Sequence, residues 1–495
     1  MSARPALPGG PYLVVGLARS GVAAALTLKR LGEDVLGVDA GALAAADADA
    51  LRDAGVEAHP RADGAELLER ARTVVKSPGV PADAPLITAA RDAGLPVLGE
   101  LELAWRMLAN EFIAVTGTNG KTTTVELIGH IHRAAGLPVA VAGNVGVALS
   151  GLVGQLDPSA TVVCEASSFQ LEDTSAFAPE AAVLLNLTPD HIDRHGTIDA
   201  YLLAKLEAFT RQTSEDLAVA PLDFAASVAP LGLTTSGVPL GSSSGGVPPT
   251  FTSSGERTGG APRSDVLPGA ARRVCFGRDP RAELSEHDGR LWWAGEHLLA
   301  LDELRLRGAH NVDNAMAAAA VCLARGIDID AVRAGLRSFA GVAHRLEEVA
   351  TRDDVLYVND SKATNVASTL VALQAFAHAD PESQALAAHG DSTPRVHLIL
   401  GGQGKGQDFT PLREPVSFGC RAVYLIGEDT PVIAAALAGA PTPVHECGDL
   451  SNAVAHAAAA ADAGEVVLLS PGCASFDQFT DFEARGDAFR ELVLE

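Results

Sequence analysis

The sequence predicts an α/β protein of three domains, each built on a largely parallel sheet, and three observations carry that expectation. Short apolar runs rich in Val, Ile and Leu alternate with helical stretches from Tyr12 onward, the pattern of βα units. The 495 residues exceed what one ordinary domain holds. Glycine-bounded turns follow a strand in two separate segments, where open parallel sheets place their ligands.

Taken in order, the first domain spans 1–108 and opens on the strand YLVVG, a helix from Val22 to Leu31, the strand DVLGVD and the strand–loop TVVKSPG. The central domain, 109–341, starts at Asn110–Gly117 (NEFIAVTG), enters a helix over Thr122–Ala135, and continues through the strands TVVCE, AAVLLNL, RVCFG and RLWWAG to an Ala-rich helix over Asn311–Arg325. A Gly, Ser, Thr and Pro-rich stretch, 232–269, is read as a flexible surface insertion because it lacks the apolar residues to order itself. The third domain, 342–495, alternates VLYVND, a helix from Asn365, RVHLILGG, RAVYLIG and VVLLSPG, with a polar loop over 378–394. The first and third domains are thus Rossmann-like, and the central one is of the P-loop ATPase type.

Composition narrows the function. Hydrophobic residues are 47% and aromatics 4%, so the cores are aliphatic. Lys and Arg total 37 against 62 Asp and Glu, a net charge of −25, which is the wrong sign for a nucleic-acid partner. A nucleotide must then be held by local devices such as backbone amides, a few cations and Mg²⁺. The six cysteines include no CxxC pair, so reduced, buried thiols are expected and neither a disulfide framework nor a zinc site is suggested. The segment MSARPALPGGPYLVVG lacks a signal-peptide pattern and no apolar run reaches about 18 residues, which points to the cytosol and away from membranes.

Thr116-Gly117-Thr118-Asn119-Gly120-Lys121-Thr122-Thr123 lies between a strand and a helix, where backbone N–H groups cradle phosphates. Lys121 is placed for β/γ-phosphates and Thr122 for Mg²⁺. Val115 stands where the first glycine of GxxxxGK[ST] belongs, so this is a shorter variant of that loop. Glu165 ends the strand TVVC; read alone it is also a solvated cap, and the nearby phosphate loop supplies its metal-binding reading. His191 follows the turn after AAVLLNL and Lys205 lies on the next helix; a lone His there is more often a hydrogen-bonded loop residue than a ligand. Gly16-Leu17-Ala18-Arg19-Ser20-Gly21 with Asp39 imitates a dinucleotide fingerprint, although Ala18 replaces its middle glycine.

In their order these segments, GLARSG, VVKSPG, TGTNGKTTT, GNVG, EASSFQLE, DHIDRH, AKLEAF, GAHNVDN, AHRLE, VNDSKATN, GGQGKG and SPGCASFDQF, resemble the Mur ligase family along nearly the whole chain. DSKATN and SPGCASFD are similar to the branch that adds D-glutamate. The resemblance implies an ATP-dependent ligase of peptidoglycan precursor synthesis, a cytoplasmic monomer acting on UDP-N-acetylmuramoyl-L-alanine and D-glutamate through an acyl phosphate. It implies that Ser20, Asp39, Ser77 and Gly79 hold the uridine diphosphate part and Asn144 the sugar–peptide part. Gly117, Thr118, Asn119, Gly120, Lys121, Thr122 and Thr123 would hold the ATP phosphates, with Asn311 and Asn314 near adenine, Arg345 at the γ-phosphate and Asp360 at the ribose.

Two Mg²⁺ sites are implied, one at Thr122 and Glu165 and one at His191, together with a carbamylated Lys205 that positions metal or substrate. Lys362, Thr364, Lys405, Ser475 and Phe482 match residues around D-glutamate. Lys121, His191, Lys205, Arg345 and Lys362 are the catalytic group, and since Arg345 and Lys362 belong to the third domain, closure is expected to complete the site. The insertion 232–269, the loop 378–394 and VAPLDF depart from the family pattern. Two other readings stand beside this one. A folylpolyglutamate synthase shares a similar phosphate loop but not GLARSG or DSKATN, and a non-catalytic nucleotide-binding protein would lack Lys121, Glu165, His191, Lys205 and Arg345.

Overall fold

The computed structural model describes residues 4–144, 146–224, 267–306, 308–377 and 395–495. The expected loop 378–394 and nearly all of the insertion 232–269 lie outside the described residues. The chain forms two compact units, one of Met1–Leu304 with His310–Phe339 and one of Ala340–Glu495 with Arg305–Ala309.

The first unit carries two sheets. In one, β1 (Tyr12–Val15), β2 (Val35–Asp39), β3 (Glu57–Pro60), β4 (Thr73–Lys76) and β5 (Val97–Gly99) are parallel in the order β3-β2-β1-β4-β5. The order of strand addition reverses between β1 and β4, so a crevice opens at the C-terminal ends of these neighbours. The other sheet has nine strands in the order β14-β13-β12-β11-β10-β9-β6-β8-β7. Its parallel part is β6 (Phe112–Thr116), β7 (Val139–Gly143), β8 (Thr161–Glu165), β9 (Ala181–Leu184), β10 (Leu217–Pro221) and β11 (Arg272–Gly277). β12 (Leu284–His287) pairs parallel to β11, and β13 (Arg290–Trp293) and β14 (Glu296–Ala300) then add antiparallel strands at that edge.

FIAV and AAVL are buried on both faces, which is why their apolar runs are continuous rather than alternating. Phe112, Cys164, Leu184, Tyr201, Leu206 and Phe209 share one core cluster. The helices begin close to expectation: Arg19–Arg30 starts three residues before Val22, Lys121–Ala134 starts at the lysine itself, and Ala309–Ala324 starts two residues before Asn311.

The second unit holds a six-stranded sheet in the order β15-β16-β20-β17-β18-β19. Its strands are β15 (Glu347–Arg352), β16 (Val355–Asn359), β17 (Val396–Gly401), β18 (Cys420–Ile426), β19 (Val444–Gly448) and β20 (Val466–Leu469). All are parallel except β15, which forms a hairpin with β16. Core clusters cover both faces, Leu398, Leu400 and Leu468 on one and Ile399, Tyr424 and Leu469 on the other.

Candidate functional site

Because strands β7, β8, β6 and β9 are neighbours and parallel, the residues just past their C-terminal ends meet at one edge of the sheet. β6 delivers the phosphate loop, β7 Asn144, β8 Glu165 and β9 the turn leading to His191. The helix Lys121–Ala134 starts at Gly120, which sits at φ 84° with its Cα so close to Asn314 that a Cβ would come within 2.1 Å of Oδ1. The loop itself is braced from β9: Asn186 accepts from the Asn119 N–H at 2.9 Å and donates back to the Asn119 carbonyl at 3.1 Å. The first N–H groups of the helix have no partner within it, so they and the positive end of its dipole face an incoming anion.

Thr122 donates its hydroxyl hydrogen to Glu165 Oε2 at 2.8 Å, and Asn144 donates to Glu165 Oε1 at 3.1 Å. Glu165 is buried. A carboxylate and a hydroxyl side by side are hard oxygen donors, the kind Mg²⁺ takes, so these residues fit that ion. Lys121 folds over its own loop, donating to the carbonyls of Gly117 at 2.9 Å and Thr118 at 2.8 Å.

Lys205 is 1% exposed; it donates to the Gly117 carbonyl at 2.7 Å and lies 4.3 Å from the Tyr201 ring centroid. Burial first and the Lys121 charge second lower its amine to about 6, against the opposing pull of Asp190 and Glu165. Tyr201 in turn donates to Thr118 Oγ1 at 3.2 Å, which locks the platform to the phosphate loop. His191 is half exposed at φ 51°, 3.5 Å from Asp190 and 4.9 Å in ring separation from Phe169. Thr122, Glu165, Lys121 and Lys205 are therefore brought together directly, whereas His191 stands beside that group on the Phe169 ring. Among the described residues, no group of three or more His, Cys, Asp and Glu is preassembled around a metal position.

In the first sheet the sequence-predicted residues converge on the turn after β1. Asp39 accepts from the Leu17 N–H at 2.6 Å and the Gly41 N–H at 2.7 Å, and Ser77 donates to the Gly16 carbonyl at 2.6 Å. Ser20 occupies the first turn of the helix Arg19–Arg30 and Gly79 is exposed in the loop after β4.

In the second unit β16, β20 and β17 are adjacent, so their following loops also meet. Asp360 is buried, accepting from Ser470 Oγ at 2.8 Å and the Leu346 N–H at 3.2 Å, and burial raises its carboxyl to about 7 against the pull of those bonds and of Arg345. Arg485, 1% exposed, donates to Ser361 Oγ at 2.9 Å, the Ser361 carbonyl at 2.8 Å and the Cys473 carbonyl at 3.1 Å. That guanidinium fastens the loop carrying Lys362 and Thr364 to the loop carrying Ser475. Lys362 lies 5.8 Å from the Phe482 ring centroid, and Gln403 and Ala474 exchange backbone hydrogen bonds of 2.9 and 3.0 Å, which joins the loop carrying Lys405 to the loop carrying Ser475. Sequence reasoning missed Asn186, Tyr201 and Arg485. Asn186 and Tyr201 follow flagged motifs closely in the chain, but Arg485 acts through backbone carbonyls and leaves no spacing signal.

Residues 115–230 match the Mur ligase middle domain and residues 344–473 match the glutamate ligase domain of the Mur ligases. A UDP-N-acetylmuramoylalanine--D-glutamate ligase of Anaeromyxobacter dehalogenans is 42% identical, over 100% of this chain and 99% of its own. The chain belongs to the Mur ligase family. Ligases of the same name from Myxococcus xanthus and Acidobacterium capsulatum are 41% and 38% identical, each covering 99% of this chain and 99% and 97% of their own. The Mur ligase fold extends to distant members. A UDP-N-acetylmuramate–alanine ligase of Thermotoga maritima superposes with a TM-score of 0.55 at 18% identity, covering 98% of this chain and 99% of its own. A MurF ligase of the same organism, in complex with ADP, gives 0.53 at 15% identity over 92% and 93%. Among the described residues no helix of this Mur ligase is long and apolar enough to cross a membrane.

Proposed function

We propose that the chain is an ATP-dependent ligase that joins D-glutamate to UDP-N-acetylmuramoyl-L-alanine, as a cytoplasmic monomer whose substrate-binding, ATP-binding and amino-acid-binding domains span 1–108, 109–341 and 342–495. What carries the reading is the meeting of Lys121, Thr122 and Glu165 at one sheet edge, in a chain similar over its full length to ligases bearing that name. A carboxylate is a poor electrophile, so the L-alanyl carboxylate must first take a phosphoryl group from ATP; the D-glutamate amine then attacks the acyl phosphate and phosphate leaves. Positioning and charge neutralisation do most of that work.

The phosphate loop Gly117–Thr123 binds the phosphates through backbone N–H groups, and Lys121 exchanges its two loop carbonyls for phosphate oxygens. Thr122 and Glu165 would hold one Mg²⁺ and His191 with Lys205 a second, and when bound these ions supply positive charge to the transferring phosphoryl group. Lys205 serves there as a carbamate, since an ammonium would repel a cation and an anionic carbamate offers oxygen donors. Asn311 and Asn314 face adenine, Asp360 the ribose and Arg345 the γ-phosphate. Ser20, Asp39, Ser77, Gly79 and Asn144 bind the nucleotide-linked substrate, while Lys362, Thr364, Lys405, Ser475 and Phe482 surround D-glutamate.

Phosphate release from ATP, measured with UDP-N-acetylmuramoyl-L-alanine and a panel of D- and L-amino acids, tests the reading. D-Glutamate should support turnover and L-glutamate should be a poor substrate; equal turnover with L-alanine or diaminopimelate would overturn it.

A further inference from the structure

Phe476 holds an apolar ring in solvent: it is 62% exposed in the loop after β20, directly beside Ser475. The loop under it is not slack. The Ser475 carbonyl accepts from the N–H groups of Gln478 and Phe479 at 3.1 and 2.8 Å, and Asp477 accepts from the Glu428 N–H at 3.0 Å. A single exposed ring is ordinary on a protein surface, and a reason to look further comes only from a charged group against it.

The ring's neighbour supplies one. Lys405 Nζ lies 5.4 Å from the Phe476 centroid, within cation–π range. Lys405 sits at φ 54°, a left-handed conformation that a non-glycine residue adopts only at a cost. The exchange of backbone hydrogen bonds between Gln403 and Ala474 sets the two loops in register two residues before each partner.

We propose that Phe476 is a positioning residue for acceptor specificity, holding the Lys405 ammonium for the side-chain carboxylate of the incoming amino acid. The inference rests on the assignment of Lys405 to D-glutamate made above. A ring face attracts an ammonium without neutralising it and without consuming its N–H donors, so the lysine is ordered yet remains free to bind a carboxylate. An Asp or Glu in place of Phe476 would order Lys405 equally well but cancel the charge the substrate needs.

Steady-state kinetics on the full chain with ATP, UDP-N-acetylmuramoyl-L-alanine and D-glutamate test this. Phe476→Leu keeps an apolar side chain and removes the ring; it should raise the KM for D-glutamate about two- to fivefold, the worth of an exposed cation–π contact, with kcat and both other KM values unchanged. Phe476→Tyr should restore the wild-type KM. An unchanged KM for D-glutamate in Phe476→Leu, a parallel rise in all three KM values, or failure of Phe476→Tyr to restore it would overturn the inference. Failure of the unaltered enzyme to turn over D-glutamate sinks instead the function on which it rests.

Discussion

A lysine amine packed against a tyrosine ring and a backbone carbonyl has lost most of the water that makes it charged. Lys205 is that case, lowered from 10.5 to about 6 by burial and then by Lys121. Between those two values the unfolded chain binds a proton that the folded chain does not, so this group's contribution to stability rises with pH across that window and is lost below about 6. At neutral pH the amine is uncharged, the state in which a lysine reacts with dissolved CO₂. Lys205→Ala should therefore abolish most activity, and added short-chain carboxylic acids should partly restore it; phosphate release with and without acetate decides the matter, and a fully active variant would end the carbamate reading. Asp360 carries the opposite sign. Its carboxyl is raised to about 7 by burial, so the folded chain binds the proton more tightly and its stability declines as pH rises toward 7. Asp360→Asn should unfold a few degrees higher than wild type at pH 8, lose that advantage at pH 5, and be impaired in turnover; thermal unfolding at the two pH values is the measurement.

At the scale of elements, the candidate site residues lie past the C-terminal ends of parallel strands, and that placement was legible in sequence. YLVV, FIAV, VVCE and VVLL announced their strands because strands buried on both faces need unbroken apolar runs. The edge hairpin was only half legible: RLWW was read as a strand, while LSEH in β12 is short and polar at its end, and its place comes from pairing with β11 and β13. The phosphate loop was read from glycines and a lysine, but its tightness comes from Asn314, distant in the chain. Gly120→Ala makes this testable. The new Cβ would meet Asn314 Oδ1 at 2.1 Å and the φ of 84° disfavours any side chain, a strain of about 1–2 kcal/mol before the clash. The variant should fold with reduced stability and lose on the order of tenfold or more in ATP affinity, by ATP titration of phosphate release; near-normal affinity would show that the loop yields.

For the molecule as a whole, a net charge of −25 shifts the burden of binding anionic substrates onto a few placed cations, and one lysine is spent instead inside the first unit. Lys76, at the end of β4, is fully buried and lies 2.6 Å from Asp173, which follows the second sheet's strand β8 and is 1% exposed in its side chain. No sequence pattern marked this pair, because partners nearly a hundred positions apart are set by how the two sheets meet. Burial raises the Asp173 carboxyl in spite of Lys76, so desolvation outweighs the attraction of the pair. Such a pair adds little net stability, yet each half depends on the other: removing Lys76 leaves the buried Asp173 carboxylate with only Arg91, half exposed and 3.8 Å away, to offset it. Lys76 also donates to the Val80 carbonyl at 2.7 Å, in the loop that carries Ser77 and Gly79, the residues proposed above for the nucleotide-linked substrate, so its loss loosens that loop as well. Lys76→Met should then destabilise the protein by about 3–5 kcal/mol in urea unfolding, and the double variant Lys76→Met/Asp173→Leu should recover much of that. In both variants the KM for UDP-N-acetylmuramoyl-L-alanine should rise while that for ATP holds, because the loop loses its Val80 anchor whether or not the charge is balanced. A double variant as unstable as the single one would mean that the pair is a net contributor to folding, and the anchoring of the loop would then have to be judged from the KM values alone.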